Sequence, residues 1–136
     1  MNLKDYHYLY VEDDPMSRDV MALIMETMLG VEMLTIFADS TDFLPRLFAL
    51  VPAPDIILLD IRVEPHNGFT LLDMIRSQPQ FRGRTVVAVT ASVMNEQVSR
   101  LHDAGFDGAI GKPLTASTFP ELLHRIASGE PVWHIT

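Results

Sequence analysis

Short apolar runs alternate along the chain with stretches in which apolar residues recur every three or four positions. The runs have strand length and the spaced stretches have helical periodicity. Tyr8 to Val11 is the first predicted strand. Asp14-Pro15 then starts a helix, with proline suited to its first position, and Val20, Leu23, Ile24, Thr27 and Met28 form its apolar face. Met33 to Ala38 reads as a second strand. Ser40 is the expected N-cap of the next helix, which turns Phe43, Leu44, Leu47 and Phe48 inward before Pro52 and Pro54. Asp55 to Leu59 is an apolar run of the kind found where both faces of a sheet are covered. After a loop marked by Pro65, Asn67 and Gly68, a third helix carries Phe69, Leu72 and Ile75.

Thr85 to Val89 is the fourth strand, and Ser92 is the expected cap of a helix that closes at Ala104-Gly105. Asp107 to Gly111 is the fifth strand. Thr115 opens a last helix with Phe119, Leu122, Leu123 and Ile126 on one face, and the tail from Gly129 carries no predicted element. Five βα units in succession predict an α/β protein with a five-stranded parallel sheet, doubly wound by helices on both faces. One domain over residues 1–128 and a short tail over 129–136 are expected in this chain of 136 residues.

In such sheets a ligand binds outside the carboxyl ends of the strands, near the point where strand order reverses. The groups expected at that edge are Glu12-Asp13-Asp14 after the first strand, Asp60 after the third, Thr90-Ala91-Ser92 after the fourth and Lys112-Pro113 after the fifth. Each alone has an ordinary use: Asp14 as a helix cap, Glu12 and Asp13 as solvated charges, Asp60 and Thr90 at turns, Lys112 on the surface. Together they make a coherent set. Clustered carboxylates repel one another unless a hard divalent cation is shared, and Mg²⁺ takes a few carboxylates with waters and a phosphate oxygen. A carboxylate kept ionised can attack phosphorus. A cation and a lysine can neutralise charge on the transferring group, and a threonine hydroxyl can hydrogen-bond a phosphate oxygen.

Charge narrows the partners. A formal net charge of −8 disfavours direct binding to nucleic acid or to an anionic membrane. The absence of cysteine excludes disulfides, zinc–thiolate sites and thiol catalysis. The N-terminus does not read as a signal peptide and no apolar run is long enough to span a bilayer, so a cytoplasmic location is expected. The five histidines lack ligand spacing, and His7 and His66 are expected to be exposed. The eight methionines read as core and helix filler, and Trp133 is expected to pack against the domain.

The motifs YVEDD at 10–14, LLDIRVEPHNG at 58–68, VTAS at 89–92 and GKPL at 111–114 come in the order and spacing of one family. Over about Tyr8 to Ala127 the chain resembles the receiver domain of two-component response regulators, in the flavodoxin-like, CheY-like single-domain form. The resemblance implies that Asp60 is the phosphoacceptor, charged by a histidine kinase or a histidine phosphotransfer protein. It implies that Glu12, Asp13, Asp60 and the backbone carbonyl of Arg62 hold Mg²⁺, with Asp14 one place beyond the family's acidic pair. Thr90 would hydrogen-bond the phosphoryl group, Lys112 would pair with its oxygens, and the peptide before Pro113 would be cis. The aspartyl phosphate would then switch the face formed by the fourth helix, fifth strand and fifth helix, which a downstream effector or a phosphorylation-dependent homodimer would use. On this reading the protein is not a turnover enzyme and catalyses only its own phosphorylation and dephosphorylation.

Three positions depart from the family pattern. Ala109 stands where an aromatic switch residue is usual, three places before the lysine. Glu64 stands at the usual proline, with Pro65 one later, and Arg62 puts a cation at the mouth of the cleft. The first two lend support to an alternative, a binding module of receiver fold that works without phosphorylation. Arg62 argues against a phosphohydrolase, which needs a second acid at that position for proton transfer to the leaving group.

Overall fold

The computed structural model describes residues 2–91 and 95–134. Six strands form one parallel sheet: β1 (His7–Val11), β2 (Met33–Phe37), β3 (Ile56–Asp60), β4 (Thr85–Thr90), β5 (Gly108–Gly111) and β6 (Val132–His134). Their order across the sheet is β2-β1-β3-β4-β5-β6. Helices α1 (Pro15–Ala22), α2 (Phe43–Phe48), α3 (Gly68–Arg76), α4 (Asn95–Ala104) and α5 (Phe119–Ala127) connect the strands. The chain steps outward from β1 to β2 and then crosses to β3 on the other side. The order therefore reverses between β1 and β3, and a crevice opens at their carboxyl ends.

Side-chain alternation along the strands feeds two cores. Leu9, Val11, Ile57, Leu59, Val86 and Ala88 pack with Phe43 and Leu47 of α2, Leu71, Leu72 and Ile75 of α3 and Leu101 of α4. The intervening residues Tyr8, Tyr10, Ile56, Leu58, Val87 and Val89 pack with Met21 of α1 and Phe119, Leu122, Leu123 and Ile126 of α5. Both faces are covered, which is why the central strands read as unbroken apolar runs. Among the described residues no helix is long and apolar enough to cross a membrane.

The doubly wound parallel architecture agrees with expectation, but the sheet has six strands instead of five. The extra strand comes from the tail: β6 runs parallel to β5, with Gly108 opposite Val132, Ala109 opposite Trp133 and Ile110 opposite His134. The strands come so close that a Cβ on Gly108 would collide with the Val132 carbonyl oxygen. Trp133 packs against the first core as expected and lies against the His102 ring of α4, with centroids 5.2 Å apart.

Several local expectations need correction. The first helix widens into a π-helical segment over Leu23–Met28, so its buried face is Met21, Ile24 and Met25, while Leu23, Thr27 and Met28 are exposed. A wider turn rotates later residues away from a 3.6-residue stripe. Ser40 does not cap α2; Asp42, in a left-handed conformation, holds that position. Phe48 is exposed beside Phe81. The last helix begins at Phe119, after a turn in which the Thr115 and Thr118 hydroxyls pair. His7 is buried rather than exposed: its ring meets the Pro52 carbonyl at 2.6 Å and the Thr35 hydroxyl at 2.8 Å. His66 is half-buried. Ser92 lies outside the described residues.

Candidate functional site

Parallel pairing brings the chemistry to one edge. Val11 of β1 is level with Leu59 of β3, so the next residues, Glu12 and Asp60, leave adjacent strands side by side. Asp60 is level with Val89, and Thr90 with Gly111. Lys112 follows at once, its backbone N–H donating to the Thr90 carbonyl at 2.8 Å. The Lys112–Pro113 peptide is cis.

Glu12, wholly buried, is the hub. Its Oε1 accepts from the Tyr10 hydroxyl at 2.6 Å and from Lys112 Nζ at 2.7 Å. Its Oε2 accepts from the Asp14 backbone N–H at 3.3 Å. Lys112 Nζ also lies 3.6 Å from Asp60 Oδ1, bridging the two carboxylates. Asp13 is exposed at the rim, yet one carboxylate oxygen from each of Glu12, Asp13 and Asp60 falls within 4.8 Å of the others. Asp14 turns away and caps α1 through Ser17. Thr90 is buried at the end of β4. Arg62 is exposed, and its backbone N–H bonds to the Asp60 carboxylate.

The loop after Asp60 is fixed by residues that did not stand out as site components. The Ser40 hydroxyl donates to the His66 carbonyl at 2.8 Å and accepts from the His66 N–H at 2.7 Å. Ser40 N–H donates to the Glu64 carbonyl at 3.0 Å. Gly68 starts α3 tightly against this loop: a Cβ there would lie 2.8 Å from Ile61 Cδ1 and 2.9 Å from Ile61 Cα. Tyr10 is the other omission. An unbroken apolar strand signals only burial, and the hydroxyl's use depends on Glu12 two residues on.

These contacts set the protonation of the cluster. Burial, followed by the hydrogen bond and negative charge of Glu12, pushes Asp60 up to about 7 from an ordinary 3.8. Burial also opposes ionisation of Glu12, but hydrogen bonds from Asp60, Lys112 and Tyr10 outweigh it and hold Glu12 below the usual carboxylate range. Burial works against the charge of Lys112, whose pKa is nonetheless raised by Glu12 and Asp60. The Tyr10 hydroxyl is pushed up by burial and by Glu12, so it stays a donor. Without a bound cation the site holds an excess of carboxylate over the single ammonium of Lys112.

A parallel sheet of this order, with carboxylates, a hydroxyl and a lysine gathered at its carboxyl edge, defines a doubly wound α/β protein with an acidic cleft at its switch point. The chain belongs to the response regulator receiver domain family, whose model matches residues 8–126. It is 29% identical over 112 residues to the stress response regulator protein 1 of Meyerozyma guilliermondii, covering 82% of this chain and 51% of that protein. It is 33% identical over 72 residues to the chemotaxis protein CheY-3 of Vibrio cholerae, covering 53% of this chain and 55% of that one. The chain thus spans about half the length of these curated relatives. Among solved structures, the receiver domain of the sensor histidine kinase PA1611 of Pseudomonas aeruginosa has the same fold, with a TM-score of 0.76 and 24% identity over 90% of this chain and 98% of that one. That structure has a magnesium ion coordinated in its active-site cleft.

Proposed function

We propose that Asp60 accepts a phosphoryl group from a phosphohistidine of a histidine kinase or phosphotransfer protein, and that the protein signals to an effector through the resulting change of shape. The observation that carries this reading is the buried Asp60 at the end of β3, with Lys112 Nζ 3.6 Å away and carboxylates of Glu12 and Asp13 beside it. An Asp60 oxygen attacks phosphorus, the new O–P bond replaces the donor's N–P bond, and the imidazole leaves with the electron pair and takes up a proton. Lys112 balances charge on the phosphoryl oxygens and Thr90 donates a hydrogen bond to one of them.

The donor set suits a hard cation: all side-chain ligands are oxygen, and three carboxylates crowd one ammonium. Glu12, Asp13, Asp60 and the Arg62 carbonyl would hold Mg²⁺, which when bound supplies charge neutralisation for carboxylates and phosphoryl alike. In this reading the protein acts as a phosphorylated switch that catalyses only its own phosphorylation and dephosphorylation, and not as a turnover enzyme.

The test is incubation with acetyl phosphate and Mg²⁺, read by intact mass. One added phosphoryl group is expected on the parent and none on Asp60→Asn or in EDTA. Absence of the adduct from a quick-frozen sample that still binds Mg²⁺ refutes the reading and favours the phosphorylation-independent module.

A further inference from the structure

We propose that β6 is a releasable cover on the β5 edge, and that charging Asp60 loosens it; the second half of this rests on the phosphoryl-acceptor reading above. Among the described residues β6 spans Val132–His134 and pairs on one side, with β5 alone. A short edge strand of this kind lies at the weak end of a domain's local stabilities. Its seating depends on Gly108, where any side chain would meet the Val132 carbonyl. Its aromatic anchor, Trp133, lies opposite the small Ala109 and against His102 of α4. Ala109 and His102 belong to elements that lead from the site. α4 follows β4, which ends at Thr90, and β5 ends one residue before Lys112.

The coupling is electrostatic at its origin. Lys112 Nζ donates to Glu12 at 2.7 Å and stands farther, at 3.6 Å, from Asp60. A phosphoryl group on Asp60 adds charge and acceptor oxygens on the Asp60 side of that bridge. Lys112 is then drawn from Glu12 towards the phosphoryl oxygens. Its backbone is bonded to Thr90 and continuous with Gly111, so the ends of β4 and β5 move with it. Neither β5 nor α4 can shift without disturbing the contact that holds Trp133. Release of β6 uncovers the backbone edge of Gly108–Ile110.

Trp133 is the only tryptophan in the sequence and reports on this directly. Acrylamide quenching of its fluorescence should be measured on the intact chain, with Mg²⁺ alone and with Mg²⁺ plus acetyl phosphate, while intact mass tracks the adduct. Phosphorylation should raise the quenching constant about twofold as the half-buried indole is freed by local opening. Asp60→Asn should not respond. Gly108→Ala should give the raised value without phosphorylation, with its far-UV circular dichroism preserved. A phosphorylated chain whose quenching is unchanged overturns the proposal while leaving the acceptor reading intact. Unchanged quenching in Gly108→Ala overturns the seating of Trp133 by the β5–β6 pair. Failure to form the adduct refutes the acceptor reading itself, and the phosphoryl-driven release with it.

Discussion

Asp60→Asn should stabilise the cation-free fold, and increasingly so as pH rises. Burial and the adjacent Glu12 carboxylate raise Asp60 from 3.8 to about 7. A group whose folded-state pKa is raised contributes most to stability below its unfolded value and loses that contribution as pH climbs through the folded value. For Asp60 the window runs from about pH 4 to about pH 7, across which the unfolded chain ionises freely and the folded chain resists. A displacement of about three pH units corresponds to about 4 kcal/mol at roughly 1.36 kcal/mol per unit. More than half of this develops between pH 5 and pH 8. Glu12 moves the opposite way in the same cluster and returns part of the cost. Asparagine keeps the shape, carries no charge and can donate to Glu12, so it escapes the penalty. Urea unfolding of both proteins in EDTA at pH 5 and pH 8 should show the variant's advantage widening by about 1–2 kcal/mol. The comparison cancels the titrating groups remote from Asp60 and leaves Asp60 with the cluster it couples to, Glu12 and Lys112. Saturating Mg²⁺ should shrink the advantage by stabilising the parent's ionised carboxylate. An advantage that is constant or falls with pH would refute the argument, because the Asp60 carboxyl would then be ionised at no cost in the fold.

Lys112→Met removes the ammonium bridging Glu12 and Asp60 and leaves Glu12 buried without it. Urea unfolding at pH 8 in EDTA should show a loss of about 2–4 kcal/mol, and acetyl phosphate labelling should slow by at least about tenfold as phosphoryl charge loses its counter-ion. Gly68→Ala places a methyl 2.8 Å from Ile61 Cδ1 and 2.9 Å from the Ile61 backbone. Thermal unfolding should register a cost of about 1–3 kcal/mol from that overpacking, with slower labelling of Asp60 because the displaced loop is the one that follows it.

What was legible in the sequence follows from how local each signal is. Asp55 to Leu59 reads as a strand, and the strand is observed over Ile56–Asp60, because both of its faces are buried and its apolar run is unbroken from Ile56 to Leu59. The carboxyl-edge rule then places Glu12, Asp13, Asp60, Thr90 and Lys112 without reference to tertiary contacts, since strand ends are set by the runs themselves. The π-helical segment after α1 could not be read this way: periodicity assumes 3.6 residues per turn, and the wider turn exposes Leu23 and Met28. Ser40 has the right residue type and spacing for a cap, but the loop after Asp60 offers its hydroxyl two partners at His66. His7 carries no apolar signal, and its burial depends on Thr35 and Pro52, remote in sequence.

The tail teaches the same lesson from the other side and ties it to function. Val132, Trp133 and His134 are too few to show alternation, and Gly108 and Ala109 in isolation look like a weak strand with little to pack. Each half is explained by the other. Gly108 has no side chain because Val132 needs the space, and Ala109 is small where Trp133 lies opposite it. Where an aromatic residue is usual in the family, β5 has Ala109, and an aromatic ring stands across the sheet on β6, against His102 of α4. A large ring fixed within β5 could change only its rotamer, whereas one carried on a three-residue edge strand can leave with the strand. The small residues of β5 therefore belong to the same design as the site at its carboxyl end, where Lys112 joins Glu12 to Asp60.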